Sequence, residues 1–162
     1  MEVKQLIETL GLLPHPEGGY YKETYRSSEQ SNFARFEGER NYCTGIYFLI
    51  EKNNFSALHR IKSDEMWHFY GGDPLEVIEI TLSGELKITR IGNTISEGEV
   101  PQYVVPKNHW FGSRVKNGGN FSFVGCTVAP GFDFNDFEMA ERKTLCTEFP
   151  QHAVVIEELT RN

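Results

Sequence analysis

The sequence has little of what marks several broad classes of protein. Its 162 residues include three cysteines, Cys43, Cys126 and Cys146, with no Cys-x-x-Cys among them. An odd, scattered count argues against a disulfide framework or a zinc knuckle, and the thiols read as small buried hydrophobes. Long apolar runs are absent: the longest, IYFLI at 46–50, falls far short of the roughly 20 residues that cross a bilayer. The opening MEVKQLIETL has no basic region followed by a long apolar stretch, so no secretory signal is read there, and a cytoplasmic protein is expected. Positive charge is scarce, with 16 Lys and Arg against 23 Asp and Glu and a net charge of −7. Such a surface repels phosphate backbones and anionic lipid, so neither nucleic acid nor membrane is an expected partner. Repeats, low-complexity tracts and linkers are lacking too, and the length suits one domain over 1–162.

What is present is a succession of short β-type runs. From 43 to 128 the chain reads CTGIYFLI, FSALHRI, EMWHFY, LEVIEI, LKITRI, QYVVP, HWFGSRV and NFSFVGCTV, separated by Asn-, Asp-, Gly- and Pro-rich turns. That spacing predicts a closed antiparallel sandwich or barrel. Ahead of it, Val3, Leu6, Ile7 and Leu10 recur at helical spacing and stop at Gly11. Tyr20 to Ser27 reads as a strand with Lys22, Thr24 and Arg26 on one face and Tyr21, Glu23 and Tyr25 on the other. At the end, Asn135 or Asp136 is placed to cap a helix carrying Phe137, Ala140 and Leu145, and Pro150 to open a second carrying Ala153, Ile156 and Leu159.

The densest chemistry lies in ALHRIKSDEMWHFYGGDP, residues 57–74. Alternation turns Ala57, His59 and Ile61 inward, and Glu65 with Trp67 and Phe69 onto one face, leaving Met66, His68 and Tyr70 on the reverse. A histidine and a carboxylate inside an apolar barrel are costly unless they pair or bind something. His59, five residues, Glu65, six residues and Gly72 resemble the first cupin motif, and Gly98 through PKNHWF at 106–111 is similar to the second. The blocks LLPHPEGGYYKETYRS, SDEMWHFYGGDPLEV and CTVAPGFDFNDFEMA resemble a small cupin-like family catalogued as a domain of unknown function. The resemblance implies an all-β jelly-roll barrel, the double-stranded β-helix of cupins, with a short N-terminal helix and two C-terminal helices. It also implies a ligand pocket in the barrel mouth and, commonly, a dimer.

The same resemblance places the first metal histidine on His59 and the metal carboxylate on Glu65, but the two other histidine ligands on Ile61 and Phe111. Neither has a lone pair to offer, so no metal cofactor is expected. The alternative is a divalent metal at His59 and Glu65 completed by His109 or His68. Without a metal, a His–carboxylate pair suits proton abstraction near neutral pH. The metal-free dTDP-sugar epimerases of cupin type use a His base and a Tyr acid. The expected function is therefore binding of a small molecule and isomerisation or epimerisation of a sugar-like or keto-type metabolite. In that reading His59 and Glu65 are catalytic, with Tyr47 or Tyr20 as the acid. Trp67, Phe69 and Phe111, with His109 and His68, are candidate ligand contacts, as are Glu17, Tyr20 and Arg26 of the N-terminal loop and strand. A non-catalytic metabolite-binding module is the other class left open. The strand from Tyr20 has no near neighbour in sequence, and a homodimer exchanging it is expected.

Overall fold

The computed structural model describes residues 2–161. A helix, α1 (Val3–Leu10), leads into β1 (Leu13–Pro14), β2 (Tyr20–Arg26) and a small hairpin, β3 (Gln30–Asn32) and β4 (Glu39–Asn41). The barrel strands follow: β5 (Thr44–Glu51), β6 (Phe55–Arg60), β7 (Asp64–Gly72), β8 (Leu75–Ile80), β9 (Leu86–Ile91), β10 (Gln102–Val105), β11 (Trp110–Val115) and β12 (Phe121–Ala129). These last eight coincide with the apolar runs read above, because the turn residues between them are local signals. The chain closes with β13 (Glu138–Met139), α2 (Arg142–Glu148) and α3 (Ala153–Glu158).

The strands form two antiparallel sheets, in the orders β1-β2-β5-β12-β7-β10 and β13-β6-β11-β8-β9. Successive strands from β5 to β8 alternate between the sheets, which is jelly-roll connectivity. One apolar core fills the space between the sheets, with Phe48, Trp67, Val77, Phe111 and Val124 among its members. A second packs Leu58, Ile78, Ile80 and Trp110 of the second sheet against Leu145, Ile156 and Leu159 of the C-terminal helices. A third sets Leu6 of α1 on Leu49. Both faces of the central strands are thus covered, and so LEVIEI is almost wholly buried.

Three expectations are corrected. The strand from Tyr20 is not left without a neighbour: β2 pairs with β5 from Tyr20 opposite Leu49 to Arg26 opposite Thr44. The register of that pair shifts between Glu23 and Tyr25, and this bulge puts Tyr21, Glu23 and Arg26 on one face where strict alternation would divide them. The first C-terminal helix does not begin at Asn135 or Asp136. There the chain makes one 3₁₀ turn over Phe134–Asp136, capped by the Asp133 carboxylate, and runs on as β13 along the edge of β6. The helix α2 starts after Glu141, whose carboxylate accepts from the amides of Lys143 and Thr144. Phe137, released from a helix face, packs against the barrel core.

Candidate functional site

A cavity of about 470 Å³ enters the barrel between the sheets. Its floor carries Ile61, Glu65, Cys126 and Val128, its walls come from β2 and β5, and its rim from residues 15–17 and 132–135. Burial pushes the Cys126 thiol up, so it stays protonated and packs as a small apolar group. The outer wall is fixed by Arg40 of β4, which forks onto both carboxylate oxygens of Asp136 at 2.8 and 2.9 Å. That buried fork ties the β3–β4 hairpin to the segment bearing Phe132 and Phe134.

The loop HPEGG holds the group that decides the site's chemistry. Gly18, at φ 111, lies so close to the carbonyl of Phe55 that any side chain would collide with it. The loop therefore lies directly on β6: the Glu17 carbonyl accepts from the Ala57 amide at 2.8 Å and from Arg161 Nη1 at 2.7 Å. This aims the Glu17 carboxylate at His59, Oε2 to Nε2 at 3.0 Å. The other ring nitrogen, Nδ1, lies 2.7 Å from the Ala57 carbonyl, which only accepts, so Nδ1 carries a hydrogen. Burial opposes charge on both partners, but their mutual attraction and hydrogen bond outweigh it: the Glu17 pKa is lowered and that of His59 raised. The pair is carboxylate and imidazolium, and both ring nitrogens are occupied. His15 accepts the Glu17 amide on Nδ1 at 3.1 Å, and burial lowers its pKa and keeps it neutral.

Glu65 is in the opposite condition. It is 8 % exposed, and its carboxyl group makes no hydrogen bond to any described residue. Burial raises its pKa to about 8, with the His59 charge opposing and the Glu17 charge assisting. At neutral pH it is a protonated acid facing the cavity. Two carboxyl groups in one cavity thus hold opposite protonation states.

Residues 4–140 match the family described as Cupin superfamily (DUF985). The chain belongs to the cupin superfamily. It is 29 % identical over 146 residues to the uncharacterized protein YML079W of Saccharomyces cerevisiae, covering 83 % of this chain and 73 % of that one. A hypothetical protein from Leishmania major superposes with a TM-score of 0.95 at 35 % identity, over 100 % of both chains. An oxalate decarboxylase of Bacillus subtilis, 14 % identical with a TM-score of 0.57 over 90 % of this chain and 36 % of its own, shares the fold alone.

This cupin's donor set does not fit the metal site that the two cupin motifs usually build. Ile61 and the buried Phe111 stand at two of its positions, both nitrogens of His59 are engaged, and Glu65 is driven to the neutral form. Among the described residues no three His, Cys, Asp or Glu side chains are grouped to hold a metal ion. The two histidines considered as replacements lie elsewhere. His109 Nδ1 is 2.8 Å from Glu79, and His68 bonds Thr127 Oγ1 at 2.9 Å on the reverse face of β7.

Of the candidates read from the sequence, the cavity brings together His59, Glu65, Glu17 and Arg26. Tyr47 and Tyr20 are corrected: both pack on the outer face of the first sheet in the α1 cluster, Tyr47 against Tyr70 and Phe123, and neither reaches the cavity. Trp67, Phe69 and Phe111 belong to the barrel core and not to the cavity wall, Phe111 lying beneath His59 with ring centroids 4.2 Å apart. The expected His59–Glu65 pairing is replaced by His59–Glu17. His15, beside Glu17, lines the cavity as well, and Tyr21 and the 132–135 segment do so without having been read as ligand contacts. The signal for the loop was the Gly18-Gly19 pair, which permits close backbone approach; Tyr21 was hidden only by the choice of face.

Proposed function

We propose that this cupin catalyses proton transfer on a sugar-like or keto-type small molecule, with Glu65 as acid and Glu17 as base. The observation that carries the reading is the divergence of the two carboxyl groups, one ionised against His59 and one neutral with its pKa near 8. A substrate carbonyl oxygen accepts the Glu65 proton while Glu17 Oε1, the oxygen not engaged by His59, takes a proton from the neighbouring carbon. An enediol results; the Glu65 carboxylate then takes the proton of its other hydroxyl while Glu17 returns its proton to the other carbon, which gives the isomer. His59 then acts as a positioning residue that holds Glu17 in place and balances its charge. A cavity of about 470 Å³ with Tyr21 and Phe132 in its walls has room for a hexose-sized molecule.

The test is deuterium incorporation from D₂O into dihydroxyacetone and fructose, followed by NMR. Incorporation beside the carbonyl faster than in the protein-free control is expected. It should be lost in E65Q and E17Q and fall in the native protein as pH rises past about 8, where Glu65 gives up its proton. A rate equal to the control, or one unchanged in both variants, overturns the reading.

A further inference from the structure

Every cation in the cavity wall is already occupied by a carboxylate of the same wall. Arg26 grips Glu23 with two prongs, Nη2 to Oε1 at 2.6 Å and Nε to Oε2 at 3.2 Å. Its remaining reach goes to Asn41 Oδ1 at 2.8 Å and the Phe132 carbonyl at 3.0 Å. Four of the five guanidinium N–H groups are therefore spent. The His59 imidazolium is held by Glu17, and His15 is neutral. Asp133 adds one more carboxylate to the rim. A carboxylate or phosphate entering the cavity meets no unpaired cation among the described residues, and Asp133 leaves the wall with one carboxylate in excess.

We propose that Glu23 is a specificity-determining residue: by neutralising Arg26 it makes the cavity refuse anionic ligands and admit uncharged, hydroxyl-bearing ones. The arrangement depends on the bulge in β2, which places residues 23 and 26 side by side on the cavity face. Asn41 and the Phe132 carbonyl hold the guanidinium from the far side. Were Glu23 uncharged, the same two anchors would leave Arg26 presenting a free fork, the geometry that recognises a carboxylate. One side chain thus separates a site for neutral sugars from a site for sugar acids. The inference rests on the cavity as the small-molecule site of the proposed function, and is independent of turnover.

Glucuronamide and glucuronate share one ring and differ by an amide against a carboxylate, which makes them the probe pair. Titration calorimetry of the native protein at low salt should show the amide binding about tenfold or more tighter than the acid. In E23Q the two affinities should converge or invert through a gain by the acid, with the amide changed by no more than about threefold. Replacing Arg26 by Gln in the E23Q background should cancel that gain, and high salt should shrink it. Tighter binding of glucuronate to the native protein, an unchanged ratio in E23Q, or no binding of either ring overturns the inference. Selectivity without deuterium exchange would count against the proposed reaction alone, and exchange without selectivity against Glu23 alone.

Discussion

Two histidine–carboxylate pairs flank Phe111 in the second sheet, and they differ in what is left over. Phe111 faces His59 of β6 on one side and Glu79 of β8 on the other. The contacts are alike, 3.0 Å for His59–Glu17 and 2.8 Å for His109–Glu79. Glu79, however, is 1 % exposed and uses its second oxygen to accept the Tyr103 hydroxyl, while Lys87 lies 4.8 Å from the centre of the Tyr103 ring. That network is closed and holds β8, β10 and β11 together. The His59–Glu17 pair instead borders a cavity beside Glu65, an acid that finds no protein partner among the described residues. A buried histidine–carboxylate contact is therefore no mark of a site; unspent hydrogen-bonding capacity beside one is.

The contrast is most directly broken by truncation. Glu79→Ala strands both His109 and the Tyr103 hydroxyl and should cost about 1 to 3 kcal/mol for each group left without a partner, read as the shift in a urea unfolding curve. A loss below about 1 kcal/mol would remove the distinction between the closed network and the open one. Next in size, His59→Gln leaves the Glu17 carboxylate without its cation but beside a cavity that admits water. A loss of about 1 to 3 kcal/mol is expected, together with loss of deuterium exchange. Stability lost with exchange intact would return His59 to the role of a core residue.

Glu65 sharpens the comparison through pH. Folded, it keeps its proton until about pH 8; unfolded, it releases it near the ordinary 4.5. Between those values the native state binds more protons than the unfolded chain, so the contribution of this group falls as pH rises from about 4.5 to 8 and is level above. The slope is at most about 1.4 kcal/mol per pH unit. Glu65→Gln should lack that slope, so that it appears in the difference between native and variant stabilities over this range; identical pH profiles would show that Glu65 is ionised in the folded protein. Smallest of all, His68→Ala and Tyr47→Phe should each change stability by about 1 kcal/mol or less and leave ligand binding and exchange as they were. A binding defect in either would move the site to the outer face of the first sheet.

These residues also show how far the sequence was legible. Strands β5 to β12 were readable because their turns are written in adjacent residues and their side chains change direction with a period of two. The inward aim of His59 and the outward aim of His68 followed from the same period. The partner of His59 did not, since Glu17 reaches it from a loop outside the barrel strands, and the nearer Glu65 was the natural choice. On β2, the bulge reversed the faces beyond Glu23, so Arg26 joins Tyr21 in the cavity against the alternation. At residues 134–136, Asn135 and Asp136 looked like the cap of a helix, but the chain makes a single turn there and β-pairing with β6 competes for the residues that follow.

The clamp of Arg161 on the Glu17 carbonyl has a consequence for the order in which the molecule is completed. The bond joins positions 144 residues apart. As the chain leaves the ribosome, β2 to β12 emerge and pair first, and the loop bearing the base receives its final anchor only when residue 161 arrives. A molecule interrupted in synthesis shortly before that point would contain every cavity-lining side chain and both sheets, yet lack one of the two hydrogen bonds that hold the Glu17 carbonyl. The last anchor of the Glu17 loop is thereby withheld until synthesis has passed residue 161.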